Sequence, residues 1–224
     1  MADQVFLVED HPISRRGQKA VLNAEMNLEV CGEAGGAAEA LERIPEMAPD
    51  LVLVDLSLED GNGLELIKDL QNHQPGLPLL VVSMHEESLY ALRCIRAGAR
   101  GYVMKQRASD VLVEAVREVL EGRIYLSTEM KDRLVQTLNG GRESTPESLL
   151  ELLSDREIQV FELMGHGLKT GEIAEHLHLS PKTVYSYQAR IKDKLNTDST
   201  AKLRQWAVLW VAGIGSEADD IASP

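Results

Sequence analysis

Five short apolar runs, over residues 4–8, 28–32, 51–55, 79–83 and 101–104, are separated by longer segments whose apolar residues recur at three- and four-residue spacing. This alternation constrains the fold more than any other feature of the chain. A β-branched run of four or five residues suits a strand buried on both faces, and a helical segment between two runs is the crossover that lays successive strands parallel. Helices are expected over residues 13–24, 37–47, 63–72, 86–97 and 109–121. In the last of these, Val111, Leu112, Ala115, Val116 and Val119 line one face, which should be buried. The expected fold class of this part is α/β: a five-stranded, doubly wound parallel sheet.

The pattern stops after Gly122. Residues 126–138 can form a polar amphipathic helix, and Asn139-Gly140-Gly141-Arg142-Glu143-Ser144-Thr145-Pro146 has the composition of a linker. Beyond Leu149 only helical segments follow. Ser154-Asp155-Arg156-Glu157 is a capping box, Gly167 is placed to end the helix it starts, and a short helix is expected over residues 170–177. Ser180-Pro181 caps and opens a third helix, with proline at a position where its missing N–H costs nothing, and a last helix spans about residues 199–212. The expected organisation is an α/β domain over residues 1–125, a linker with a helix over 126–148, an all-α domain of four helices over 149–213 and an acidic tail over 214–224.

Charge sharpens this division. The net charge is -13, unusual for a protein that binds nucleic acid through its whole surface, but residues 1–125 carry 21 acids against 12 bases, whereas residues 146–212 carry 9 against 8. Cys31 and Cys94 stand alone in apolar contexts, without metal-ligand or disulfide spacing, and are expected to be reduced. Acidic residues interrupt the first ten positions, and the longest apolar stretch, residues 77–84, is far short of the ~20 residues that span a bilayer. A cytoplasmic protein without membrane contact is expected.

The ends of the apolar runs carry the chemistry. The first ends in Glu9-Asp10, the third in Asp55 and the fourth in Ser83, and the fifth is followed by Lys105. In an open parallel sheet, ligands bind beyond the carboxyl ends of the strands. Three carboxylates brought together there repel one another unless a cation is shared, and a hard cation such as Mg2+ takes oxygen ligands: Glu9, Asp10, Asp55 and the backbone carbonyl of Ser57. Asp55 then suits a nucleophile that forms an aspartyl phosphate, with Lys105 and Ser83 offsetting charge on the phosphoryl oxygens.

On Glu9-Asp10-His11-Pro12, Asp55-Leu56-Ser57-Leu58, Ser83, Gly98-Ala99-Arg100-Gly101-Tyr102 and Lys105, residues 1–125 resemble a response-regulator receiver domain, a flavodoxin-like fold. The resemblance implies phosphorylation of Asp55 by a sensor histidine kinase, and Ser83 and Tyr102 moving together as a switch. It departs from that family at Glu59, where proline is usual, so a looser and more acidic loop is expected, and at Gln106, again in place of proline. His85, two residues after Ser83, is expected to be an exposed residue at a helix start, the alternative being that it influences access of water to the acyl phosphate.

The helix over residues 180–195 carries Lys182, Arg190, Lys192 and Lys194 against the single acid Asp193. Val184, Ile191 and Leu195 are spaced to face a core, which leaves Tyr185, Ser186 and Ala189 outward. A basic helix entered through a helix-turn is suited to the major groove of double-stranded DNA. Leu153-Ser154-Asp155-Arg156-Glu157, Gly167-Leu168, Glu172-Ile173-Ala174, Leu179-Ser180, Lys182-Thr183-Val184, Ile191 and Lys194-Leu195 resemble the LuxR-type helix-turn-helix domain, which with the receiver resemblance implies the NarL/FixJ class of response regulators. The DNA-binding set so implied is Lys182, Thr183, Val184, Tyr185, Ser186, Ala189, Arg190 and Lys192, with Tyr185, Ser186 and Ala189 at the bases and Tyr187 where histidine is usual. A homodimer and contact with RNA polymerase are expected, and no enzymatic activity beyond the receiver's own phosphorylation and dephosphorylation. Two alternatives are a constitutive DNA-binding protein whose receiver is an interaction module, and a phosphatase of the haloacid-dehalogenase type; the latter needs a second acid where this chain has Ser57.

Overall fold

The computed structural model describes residues 2–58, 60–138 and 152–211. The proposed linker after residue 138, the acidic tail and Glu59 lie outside the described residues. The chain divides into two compact units, Met1–Asn139 and Gly140–Pro224.

In the first unit, β1 (Asp3–Val8), β2 (Leu28–Ala34), β3 (Leu51–Val54), β6 (Leu79–Ser83) and β7 (Gly101–Met104) form one parallel sheet in the order β2-β1-β3-β6-β7. The helices α1 (Pro12–Asn23), α2 (Ala37–Met47), α3 (Gly63–His73), α4 (Glu87–Ala97) and α5 (Ala108–Leu120) alternate with these strands. Every residue of β3 and β6 is buried, because helices cover both faces of the central strands. On α5, Leu112, Ala115, Val116 and Val119 are buried against Val5, Leu7, Leu53, Leu80 and Val82 of the sheet. Gly32 makes room for the Phe6 ring, whose Cε2 atom would lie 2.5 Å from a Cβ at that position.

Three details differ from the sequence expectation. The third strand ends at Val54, so Asp55 is the first residue beyond it. A two-stranded antiparallel ribbon, β4 (Ser57–Leu58) with β5 (Gly61–Asn62), follows Asp55; strands of two residues carry no readable alternation. The helix α6 (Thr128–Leu138), expected within the linker, packs against α4, with Leu126 and Met130 buried and the Ser127 N–H donating to Glu87 Oε1 at 2.8 Å. Tyr125 also covers the edge of β7, accepting from Tyr102 N at 2.9 Å and donating to Arg100 O at 3.0 Å.

The second unit holds α7 (Asp155–Gly165), α8 (Thr170–His176), α9 (Pro181–Lys194) and α10 (Thr200–Val211). Its core contains Leu153, Ile158, Phe161, Met164, Ile173, Val184, Ile191, Leu203 and Trp206. The capping box at Ser154 and Glu157 forms, with both reciprocal hydrogen bonds made. Helix α7 ends two residues before Gly167, which takes the left-handed conformation at φ 86°. Neither Cys31, half-buried, nor Cys94, buried, is in a disulfide, and among the described residues no helix is long and apolar enough to cross a membrane.

Candidate metal centre and nucleic-acid interface

The parallel ladder itself delivers the acids to one rim. Glu9 N donates to Ala34 O at 3.1 Å and Asp55 N to Val8 O at 2.9 Å, so both residues extend the strand hydrogen bonding by one step and turn their side chains out at the carboxyl edge. There Glu9, Asp10, His11 and Asp55 each offer a ligand atom, all within 4.8 Å of one another. Glu9 and Asp55 are 1% and 3% exposed. Lys105 reaches both, its Nζ 2.7 Å from Glu9 Oε2 and 2.8 Å from Asp55 Oδ2. Asp55 Oδ1 accepts from Ser57 N at 3.3 Å.

One ammonium among three carboxylates leaves the pocket short of positive charge. The Asp55 carboxyl is held above the usual range, first by burial and further by neighbouring Glu9, with Lys105 pulling the other way. Burial pushes the Lys105 ammonium down, but Asp55 and Glu9 outweigh it and hold its pKa above the ordinary lysine value. A cluster of hard oxygen donors, two of them buried, with excess negative charge fits a small divalent cation.

Three side chains that support this pocket, two of them on α1, fall outside the sequence expectation. Glu9 Oε2 accepts from Ser14 Oγ at 2.7 Å and from buried Gln18 Nε2 at 3.1 Å. Their signal was present: Ser14, Gln18 and Leu22 follow one another at four-residue spacing on α1, so two polar side chains stand in the stripe that Leu22 buries. His11 is the other, its Nδ1 2.7 Å from Asp10 Oδ1.

Ser83 is fully buried, and its Oγ accepts from His85 N at 3.3 Å. Tyr102 is buried as well, its hydroxyl donating to His85 O at 2.9 Å. His85 is half-buried, not the exposed helix-start residue expected; α4 begins two residues later. Its Nε2 lies 3.1 Å from Ser57 Oγ, and its ring packs tilted against Tyr90, the centroids 4.6 Å apart. The backbone and ring of one histidine thus connect Ser57, Ser83 and Tyr102.

On α9, Ser180 Oγ accepts from Thr183 N at 3.1 Å and Pro181 opens the helix. Lys182, Tyr185, Ser186, Ala189 and Arg190 are exposed, Tyr185 by 62%, while Thr183 and Lys192 are half-buried. Val184 is a correction: it is 0% exposed, its side chain fills the core, and it leaves the DNA-binding set. Gln188, which the sequence did not single out, is buried on the same side. Lys194 is exposed but paired with a buried carboxylate, its Nζ 2.7 Å from Glu157 Oε2, so the remaining positive charge of α9 rests on Lys182, Arg190 and Lys192. The Arg190 guanidinium lies 5.9 Å from the centre of the Tyr187 ring.

Comparison with known proteins agrees with these two constellations. Residues 5–117 match the family described as response regulator receiver domain, and residues 151–222 match bacterial regulatory proteins of the luxR family. The DNA-binding transcriptional activator DevR/DosR of Mycobacterium tuberculosis is 38% identical over 195 residues, covering 87% of this chain and 89% of that one. The response regulator UvrY of Escherichia coli is 32% identical, covering 91% and 93%. Among solved structures, RcsB of Salmonella enterica bound to the P1flhDC promoter in the presence of the phosphomimetic BeF3- is 25% identical with a TM-score of 0.65, covering 92% of this chain and 98% of that one. The chain belongs to the NarL/FixJ class of two-component response regulators, DNA-binding transcriptional regulators in which a receiver domain is followed by a LuxR-type helix-turn-helix domain.

Proposed function

We propose that Asp55 accepts a phosphoryl group from a sensor histidine kinase and that this event controls DNA binding by the second unit. The observation that carries the reading is the convergence of Glu9, Asp10 and Asp55 on one rim with Lys105 bridging two of them. Carboxylate Oδ of Asp55 attacks phosphorus, the bond from phosphorus to the donor's imidazole nitrogen breaks, and an acyl phosphate results. Glu9, Asp10, Asp55 and the Ser57 carbonyl would hold Mg2+, which when bound would offset the negative charge on the phosphoryl oxygens. Lys105 supplies a further cation from the protein side, and Ser83 donates a hydrogen bond to the same oxygens.

Tyr102 and Ser83 form the switch, since His85 already joins them through its backbone. Phosphorylation changes the charge beside this connection and biases the receiver between two arrangements. The protein acts in the cytoplasm as a homodimer on double-stranded DNA, where it meets RNA polymerase, and the receiver promotes no reaction beyond its own phosphorylation and dephosphorylation. Lys182, Thr183, Arg190 and Lys192 contact phosphates; Tyr185 and Ser186 read base edges, with Ala189 in apolar contact with a thymine methyl.

Selection of bound sequences from random double-stranded DNA, with and without beryllofluoride, tests the whole reading. A defined site enriched more strongly with beryllofluoride is expected, and equal enrichment in both arms would leave a constitutive DNA-binding protein. Asp55→Ala should abolish labelling by acetyl phosphate with Mg2+; retained labelling would move the acceptor elsewhere.

A further inference from the structure

We propose that Asp60 is a positioning residue for the acidic pocket, clamping the ribbon after Asp55 onto the N-terminus of α2. The inference rests on the reading of Asp55 and Ser57 given above. Asp60 lies in the turn between β4 and β5. Its Oδ1 accepts from Ala37 N at 2.7 Å and its Oδ2 from Ala38 N at 3.0 Å. Both carboxylate oxygens are therefore taken by first-turn N–H groups of α2, donors that have no partner within their own helix and sit at its positive end. Most helices draw such a cap from the residue just before them. This one draws it from a residue 23 positions downstream, in the ribbon that carries Ser57.

Gly36 gives independent support. It is the N-cap residue of α2 and supplies no side-chain cap. Its backbone is extended, φ -156° and ψ 172°, a conformation open to any residue. What glycine provides is space: a Cβ there would lie 2.5 Å from Asp60 Cγ and from each carboxylate oxygen. Gly61 repeats the closeness on the ribbon side, where an added Cβ would come within 3.3 Å of Ala37 Cβ.

The clamp completes the anchoring of the ribbon. Its end at α3 is held by Asn62, which accepts from Leu64 N at 2.9 Å, and by Gly63 N donating to Leu56 O at 3.0 Å. Asp60 holds the turn. Ser57 pairs with Asn62 across the ribbon and donates its N–H to Asp55 Oδ1, so a ribbon fixed at both ends fixes the Ser57 backbone against the Asp55 carboxylate. Releasing the turn lets a metal ligand drift while leaving Glu9, Asp10, Asp55 and Lys105 in place.

The test is calorimetric titration of Mg2+ into the full chain, with thermal midpoint recorded alongside. Asp60→Ala is expected to raise the Kd for Mg2+ about 10-fold, the lower end of what loss of an outer support usually costs a metal site. Labelling by acetyl phosphate should slow at low Mg2+ and return to the wild-type rate at saturating Mg2+. Asp60→Asn, which keeps one acceptor, should recover part of the affinity. Gly36→Ala should weaken Mg2+ binding with Asp60 present and add nothing in the Asp60→Ala background, where the colliding carboxylate is gone; if Asp60→Ala fails to fold, Gly36→Ala alone decides. Unchanged Mg2+ affinity in the single variants, a shift in thermal midpoint alone, or additive losses in the double variant would overturn the clamp. A wild-type chain that takes no Mg2+ would instead overturn the reading of the pocket, a separate result.

Discussion

In the first unit Glu9, Asp55 and Ser83 are buried and a single lysine bridges two carboxylates, whereas in the second Lys182, Tyr185, Ser186 and Arg190 stand in solvent along one helix. The two arrangements suit two kinds of work. Bond making needs groups whose charges act at full strength in a poorly screened pocket and whose positions are set before reaction. Binding a polyanion needs cations that are cheap to expose, since their contribution comes from counterions released by the partner. Placing charge in the interior is costly, and the first unit bears that cost with Ser14, Gln18, His11 N–H and Lys105 around Glu9.

The largest expected effect strikes the buried arrangement. Lys105→Met removes the protein's own cation from between Glu9 and Asp55 and should slow labelling by acetyl phosphate about 10²–10³-fold at saturating Mg2+, the usual consequence of losing one preorganised charge or donor. Initial rates of labelling measure it. A rate within a few-fold of wild type would break the comparison, because the pocket would then behave like an exposed surface.

Glu157 and Lys194 sharpen it from the other side, being a buried carboxylate and its partner inside the unit otherwise characterised by exposed charge. Lys194→Met strands Glu157. Losing one partner of a fully buried pair costs ~3–5 kcal/mol, and because Lys194 is 39% exposed the expected loss is reduced by solvent screening to ~1–2 kcal/mol. Both tryptophans of the chain, Trp206 and Trp210, lie on α10, so thermal melting followed by tryptophan fluorescence reads this unit alone. Burial pushes the Glu157 carboxyl up, but Lys194 and Ser154 outweigh it and hold it below its ordinary value of 4.5. A carboxyl depressed in the folded state adds stability above its unfolded pKa and loses that contribution as pH falls through the folded one. Glu157→Gln should therefore lower the melting midpoint at pH 7, with the gap to wild type closing on acidification; a gap constant with pH would remove the ionised carboxylate from the account.

What was legible in the sequence follows the same division. The central strands could be placed because short, continuous apolar runs such as Leu51–Val54 announce strands buried on both faces, and the acids at their ends fall on one rim once the strands are parallel. Charge could be counted on α9 but not assigned: Lys194 belongs to the basic run yet pairs with the buried Glu157, and Val184 stands between two candidate DNA contacts, Thr183 and Tyr185, with its side chain in the core. The contact between Asp60 and α2 leaves no local pattern, since its partners lie more than twenty positions away and Gly36 reads as an ordinary turn glycine. The loop after Asp55, expected to be looser because Glu59 replaces proline, contains the ribbon and its Asp60 clamp in its described residues. The place of His85 is illegible for a related reason: its hydrogen bonds to Ser57, Ser83 and Tyr102 join residues from three different strands.

The smallest expected effect belongs to the exposed helix. Lys182→Ala removes one solvated cation at the start of α9, costs the fold little, and should weaken DNA binding only a few-fold at moderate salt. Because a phosphate contact acts by counterion release, the slope of log affinity against log salt should lose about one unit, and the wild-type and variant lines should converge as salt rises. The preferred sequence should stay the same, since phosphates carry no base identity. Lys105→Met should show the opposite pattern in its own assay, a labelling defect that persists at high salt, because its partners are buried beyond the reach of mobile ions. A Lys182→Ala chain whose preferred site changed while its salt slope held would move Lys182 from the phosphates to the base edges, and would show that the exposed helix, like the buried pocket, depends on the placement of single charges.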